Sequence, residues 1–206
     1  MRQGTRIYLV RHGQVEGHEM KRYNGQADVA LTDRGRRQYR ALRERLDDEE
    51  ISAVYSSDLT RCVEGARILA APHGVSPIFD ERLRELDIGE WEGKTWKELQ
   101  SVYPEEWQAR LDDLVNYRVP GGESLLDMAG RVRAAMSRIL TEHPEGEVMV
   151  VGHGGVNRVV LLDAIGAPLE KMFHIEQSFG CLNIIDYFSD GYCTVQLLNG
   201  TVTSGE

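Results

Sequence analysis

Four consecutive apolar residues, Ile7-Tyr8-Leu9-Val10, stand between Arg6 and the tripeptide Arg11-His12-Gly13. A run so short and continuous, closed by charge and glycine, reads as a strand buried on both faces, which calls for helices above and below a largely parallel sheet. The next residues agree. Thr32 can cap a helix running to about Leu46, with Tyr39, Leu42 and Leu46 on one face, and Ile51 to Tyr55 reads as a second strand. From about Asp58 the stripe Leu59, Cys62, Val63, Ala66, Leu69 and Ala70 keeps the helical period until Pro72 ends it.

The middle of the chain, from Gly93 to Tyr117, carries Trp96, Trp107 and Pro104 without a clean strand, and is expected to form a helical excursion over the site at about 93–120. Ser124 and Asp127 make a capping box for a long helix whose buried stripe is Leu125, Met128, Ala129, Val132, Met136, Ile139 and Leu140. Glu147 to Val151 is the next buried strand, and it delivers His153 into Gly152-His153-Gly154-Gly155 ahead of an apolar helix from Val156 to Ala164. Cys181 to Phe188 and Tyr192 to Leu198 flank Asp190-Gly191, a hairpin signal. The expected fold is one domain over residues 1–206: a three-layer α/β/α sandwich with a mostly parallel sheet and an antiparallel C-terminal edge hairpin.

A chain of 206 residues can bury a real core. Its net charge of −9 disfavours nucleic acid and anionic membrane as partners, since both call for a basic face, yet leaves room for a locally positive pocket. No apolar run approaches the roughly 18 residues of a membrane span. Cys62, Cys181 and Cys193 form no CxxC pair and leave an odd thiol, which points to a reducing compartment and hence to the cytoplasm.

In open α/β sheets, ligands bind at the C-terminal ends of the strands. Arg11 can grip anionic oxygens there in a fork, His12 offers a lone pair, and Gly13 permits a sharp turn or a close approach. A lone strand-end histidine is more often a satisfied turn residue; two of them, His12 and His153, in matching contexts beside glycine, are harder to dismiss. A metal site fails on inventory, because no third histidine or cysteine stands at ligand spacing. Arg61 falls in the first turn of its helix, where a cation opposes the helix dipole at about 0.3–1 kcal/mol. A solvated arginine explains it, and so does an anion at that helix end, with a second anion site where Gly154 and Gly155 open another helix.

Six segments in order now carry a resemblance: Leu9-Val10-Arg11-His12-Gly13, Leu31-Thr32 with Gly35, Ser56-Ser57-Asp58-Leu59-Thr60-Arg61, Leu83 to Gly93, Gly122-Glu123-Ser124 and Gly152-His153-Gly154-Gly155. Over nearly its whole length the chain resembles the phosphoglycerate-mutase-like branch of the histidine phosphatase superfamily. The resemblance implies that His12 is a nucleophile that becomes a transient phosphohistidine, that Arg11 and Arg61 bind the phosphate, where the helix start at Gly154 would join them, that His153 completes the pocket as an N–H or protonated donor, and that Glu85 is the proton donor. Asn24 and Gln26 lie in the following loop, where members of such families place substrate-contacting polar groups; a plain surface loop explains them equally well. Where many members carry an asparagine, this chain has Gly17 and His18, so that contact is not carried over. Trp91 and Trp96 are expected to be packing residues, and His73, His143 and His174 structural or exposed ones.

No metal or cofactor is implied. The expected partner is a small phosphorylated metabolite, and a homodimer is compatible with the chain. Mutases of the superfamily tend to be longer, so a phosphatase is favoured, and the Leu83 to Gly93 segment looks most like the α-ribazole phosphatase group. The alternatives are a broad sugar-phosphate or phosphoglycerate phosphatase, a phosphoglycerate mutase, and a non-catalytic phospholigand-binding module.

Overall fold

The computed structural model describes residues 4–202. A six-stranded sheet runs in the order β3 (Ile78–Phe79), β2 (Ile51–Ser56), β4 (Gly146–Gly152), β1 (Gly4–Arg11), β5 (Leu182–Phe188), β6 (Cys193–Gly200). The first four strands in that order are parallel, and β5 and β6 are antiparallel, so the expected hairpin does close one edge. The short strand β3 has no sequence signal beyond Ile78-Phe79 and adds the opposite edge.

Period-two alternation sorts the side chains of β1 between two cores. Ile7 and Leu9 point into one, with Val148, Val150 and the stripes of α5 (Leu125–Glu142) and α6 (Gly154–Ala164). Tyr8 and Val10 point into the other, with Met149, Val151 and the stripes of α1 (Asp33–Arg45) and α2 (Thr60–Ala70). Each fully buried Leu, Ile or Val contributes roughly 1.5–3 kcal/mol. A third, smaller core, Ile88, Trp91, Leu99 and Val119, forms under α3 (Trp96–Val102) and α4 (Pro104–Asp112), the expected excursion.

Register positions the site. Arg11 pairs with Gly152 across β1 and β4, so the next residue on each strand is a histidine. The chain leaves β1 toward α1 and β2, on the far side of β4, and leaves β4 through α6 toward β5, on the far side of β1. The crevice between these two strand ends is therefore a topological switch point.

One boundary differs from the sequence expectation: helix α2 begins at Thr60 rather than near Asp58, whose carboxylate instead pairs with Arg84, the Arg84 Nε lying 2.7 Å from Asp58 Oδ1. Helix α6 begins at Gly154, directly behind His153, as the glycine pair implied.

Gly65 and Gly130 give opposite expectations for one change. Gly→Ala inside an open helix gains up to about 1 kcal/mol. At Gly65 the added carbon would sit 1.8 Å from Tyr39 Cζ, so overpacking of about 1–3 kcal/mol dominates. At Gly130 nothing lies within 4 Å. Urea unfolding should show Gly65→Ala destabilised and Gly130→Ala stabilised; a Gly65→Ala midpoint at or above wild type would contradict the packing described.

Candidate active site

His12 and His153 meet as the strand register requires, with ring centroids 5.2 Å apart in an edge-on arrangement. The Nδ1 of His12 lies 2.8 Å from the Gly13 carbonyl oxygen. A carbonyl only accepts, so Nδ1 carries the proton and Nε2 keeps its lone pair. Burial, then Arg11, then Arg61, push the His12 pKa well below the ordinary imidazole value, and the ring is neutral at pH 7. His153 is fully buried behind it, its Nε2 2.9 Å from Ser57 Oγ and 3.5 Å from Cys62 Sγ. Burial, then Arg61, hold it neutral as well, so a protonated His153 is not the resting form.

Two guanidinium groups flank the imidazoles. Arg11 lies over the Phe179 ring at 4.1 Å and donates from Nη1 to the Gln177 carbonyl. Arg61, only 1% exposed, donates from Nη1 and Nη2 to the carbonyls of Ala27 and Gly25 at 2.7 and 2.8 Å. The Nε of each is buried with no partner among the described residues. Uncompensated buried donors of this kind are costly, and an anion would satisfy both.

Glu85 stands at the same cleft, its oxygens accepting the N–H groups of Leu86 and Gly155, each at 2.9 Å. A Cβ at Gly155 would lie 2.3 Å from Glu85 Oε1, so the glycine makes the space the carboxylate uses. Arg131 clamps the segment from behind: Nη1 donates to the carbonyls of Arg82 and Arg84 at 2.8 and 2.6 Å, Nη2 to that of Glu85 at 2.9 Å, and the group pairs with Glu123.

The cleft holds about 260 Å³, suited to a small ligand. Arg11, Arg22, Arg61, Arg110 and Arg158 line it against a single carboxylate, Glu85. That makes it strongly cationic within a chain of net charge −9. The sequence from residue 7 to 201 matches the histidine phosphatase superfamily (branch 1). The chain belongs to that superfamily.

A bifunctional protein of Mycobacterium tuberculosis is 34% identical over 96% of this chain, which spans only 54% of that relative's length. Phosphoglycerate mutase-like protein 4 of Arabidopsis thaliana is 39% identical over 74% of this chain and 67% of its own. Among solved structures, the α-ribazole phosphatase from Shigella flexneri superposes with a TM-score of 0.87 at 27% identity, covering 95% of this chain and 96% of its own.

Within this histidine phosphatase fold, His12, Arg11, Arg61, Glu85, Asn24 and Gly154 line one cleft, with His153 directly behind. Gln26 does not join them: its Nε2 donates to the Glu85 carbonyl at 3.3 Å and its N–H to Glu92, outside the cleft. At each helix start a carboxylate of the protein itself takes one N–H: the Thr60 N–H at the head of α2 donates to Asp28 at 2.9 Å, and the Gly155 N–H at the head of α6 donates to Glu85 at 2.9 Å. Gly13 makes room for the α1 backbone rather than a ligand, since a Cβ there would lie 2.5 Å from the Gly35 carbonyl oxygen.

Trp91 is packed as expected, but Trp96 is 44% exposed and lines the cleft. His18 lines it as well, 3.0 Å from Gln14, and His143 has a partner in the Tyr55 hydroxyl at 3.0 Å. Sequence reasoning missed Arg110, Arg131, Arg158 and Phe179. A lone arginine among Val156, Val159 and Val160 was a usable signal for Arg158; the others depend on tertiary contacts. Among the described residues no group of three or more His, Cys, Asp or Glu is arranged to hold a metal ion, and no helix is long and apolar enough to cross a membrane.

Both depressed imidazoles fix a sign for stability against pH. The unfolded chain protonates them near the ordinary value of 6.5 and the folded chain only well below it, so the unfolded state binds more protons in between. Unfolding free energy should therefore fall as pH drops below about 6.5, by up to about 1.4 kcal/mol per pH unit for each ring. His153→Asn should flatten that slope between about pH 6.5 and 5 in denaturant titrations; an unchanged slope would show that folding does not hold the ring neutral.

Proposed function

We propose that this protein hydrolyses small phosphomonoesters through a phosphohistidine on His12. The observation that carries it is the His12 ring, neutral and with its Nε2 lone pair free, between two buried arginines whose Nε groups lack acceptors among the described residues. A phosphoryl dianion would take up both donors, and its charge would reverse the electrostatic push on the imidazoles, letting His153 hold or donate a proton.

In the first step Nε2 of His12 forms a bond to phosphorus as the bond to the leaving oxygen breaks, and that oxygen takes the proton of the Glu85 carboxylic acid. In the second, Glu85 removes a proton from water, which attacks phosphorus and returns the electron pair of the phosphorus–nitrogen bond to His12. Inorganic phosphate leaves and the acid is restored. Retaining both His12 and Glu85 weighs against a non-catalytic binding module, and hydrolysis is favoured over mutase transfer.

For the substrate, the similarity to the α-ribazole phosphatase of Shigella flexneri supports α-ribazole 5′-phosphate, with Tyr23, Trp96 and Phe179 as surfaces for a planar leaving group. The excess of arginines supports a phosphorylated sugar or acid instead.

Single turnovers with radiolabelled phosphomonoesters, quenched into alkali to preserve the phosphorus–nitrogen bond, test the mechanism. Wild type should trap labelled protein and His12→Ala none; equal trapping in the two would refute it. Glu85→Gln should lose about 10²–10⁴-fold in kcat on alkyl phosphates. It should lose much less in the first step with p-nitrophenyl phosphate, whose leaving group needs no proton; equal losses on both would remove Glu85 as the acid.

A further inference from the structure

Arg11 is held from outside its own strand by one short segment. Its Nη1 donates to the Gln177 carbonyl, and its Cζ stands 4.1 Å from the Phe179 ring centroid. The same segment steadies the backbone beside it: the Arg11 N–H donates to the Cys181 carbonyl and the Gly180 N–H to the His12 carbonyl, each at 3.0 Å. Residues 177–181 precede β5 and form neither helix nor strand. Stretches of that kind are ordinarily among the looser parts of a fold, whereas a fork that grips a reacting group has to be aimed closely.

A buried amide pair stiffens the segment. Gln177 and Asn183 are both fully buried. Gln177 Oε1 accepts from Asn183 Nδ2 at 2.9 Å, and Gln177 Nε2 donates to Asn183 Oδ1 at 2.8 Å. Backbone groups settle which end of each amide is which. Asn183 Nδ2 also donates to the Leu9 carbonyl on β1 at 3.1 Å, which can only accept, and Asn183 Oδ1 also accepts the Asn199 N–H on β6 at 2.8 Å, which can only donate. Gln177 Nε2 gives its second hydrogen to the Glu176 carbonyl at 2.9 Å, and Oε1 takes the Cys181 thiol at 3.3 Å. The Asn157 amide, on α6, lies 3.1 Å from the same oxygen.

The pair thus ties β1, β5, β6 and α6 to the one residue whose carbonyl receives Arg11. A methionine or leucine could fill such a space without any polar cost; a satisfied amide pair fixes geometry as well as volume. Gln177 itself does not line the cleft, so its side chain can act on a ligand only through others.

We propose that Gln177 is a positioning residue: through its pairing with Asn183 it sets the carbonyl and the Phe179 ring that aim Arg11 at the phosphoryl group. This rests on the phosphatase function proposed above.

The test is the rate constant for labelling His12 in single turnovers at saturating phosphomonoester, because a variant that merely folds less well loses labelled amount and not rate. Gln177→Met keeps the length and removes both amide ends. Its rate constant should fall by about 10–100-fold, the scale of a misplacement of about 1 Å. Added to Arg11→Lys it should cost less than about twofold beyond Arg11→Lys alone, since its effect runs through Arg11. Gln177→Glu is the second variant, should Gln177→Met fail to fold. Its neutral acid offers Asn183 one acceptor and one donor, as the amide does, whereas its carboxylate sets a second acceptor against Asn183 Oδ1. Its rate constant relative to wild type at the same pH should therefore rise as pH falls from about 8 to about 5. A wild-type rate constant in Gln177→Met with only a smaller labelled amount would overturn the inference. So would full additivity with Arg11→Lys, or a pH-independent ratio for Gln177→Glu.

If wild type hydrolyses no ester and none labels His12, the hydrolytic function has failed by itself. Calorimetric binding of inorganic phosphate then decides the role of Gln177. About tenfold weaker binding by Gln177→Met, or by Gln177→Glu near pH 8, supports it. Equal Kd values, or no binding to wild type, overturn it.

Discussion

The parallel pairing of β1 with β4, in the register that sets Arg11 beside Gly152, is the contact on which the rest of the site depends. Side chains alternate along a strand, so a slip of one residue would turn one imidazole to the opposite face and separate the two rings. What holds the register is burial on both faces: Ile7 and Leu9 belong to the core under α5 and α6, Tyr8 and Val10 to the core under α1 and α2. A slip would exchange these sets, and neither core has room for the other's shapes. Core packing thus positions the chemistry without touching it.

Electrostatics then divide the molecule. Acidic residues exceed basic ones by 9 over the whole chain, yet the cleft is lined by five arginines and one carboxylate. The helix starts could have supplied further positive potential, but each donates to a carboxylate of the protein itself, Asp28 at α2 and Glu85 at α6. At α2 this fixes the loop whose carbonyls hold Arg61. At α6 it places Glu85, the only acid of the cleft among the described residues, beside Arg11, where it offsets part of the burial penalty of the guanidinium. Among the described residues the Nε donors of Arg11 and Arg61 are left without acceptors, and such side chains can adjust to a ligand more readily than backbone amides can.

The layers, the hairpin and both strand-end histidines were legible in the sequence, because each rests on local periodicity or on a turn signal within a few residues. The stripe from Leu125 to Ile139 and the Ser124–Asp127 capping box recur in the structure for that reason. What was not legible depends on partners far along the chain. Gln26 looked like a ligand contact from its position in a loop, but whether its amide meets a substrate or the Glu85 carbonyl is decided 59 residues away. Arg131 lies one residue from the buried stripe of α5 and reads as an ordinary helix arginine until the carbonyls of Arg82, Arg84 and Glu85 are found converging on it. Gly13 was correctly seen as a place of close approach, and only the fold reveals that the approaching group is the backbone of Gly35.

The backbone contact between Gly13 and Gly35 and the apolar cores make the His12 end of the cleft stiff, while the outer end is built differently. Tyr23, which Trp96 and Arg110 approach, sits on the small core of Ile88, Trp91, Leu99 and Val119, which meets the main core under α5 and α6 at Leu86. Changes within α3 and α4 can therefore reshape the outer cleft without disturbing the pairing of β1 with β4. In physical terms the His12 end and the outer end of the cleft rest on different cores that meet at Leu86. This fits a superfamily whose relatives of this chain carry the names of both phosphatases and mutases while keeping one fold.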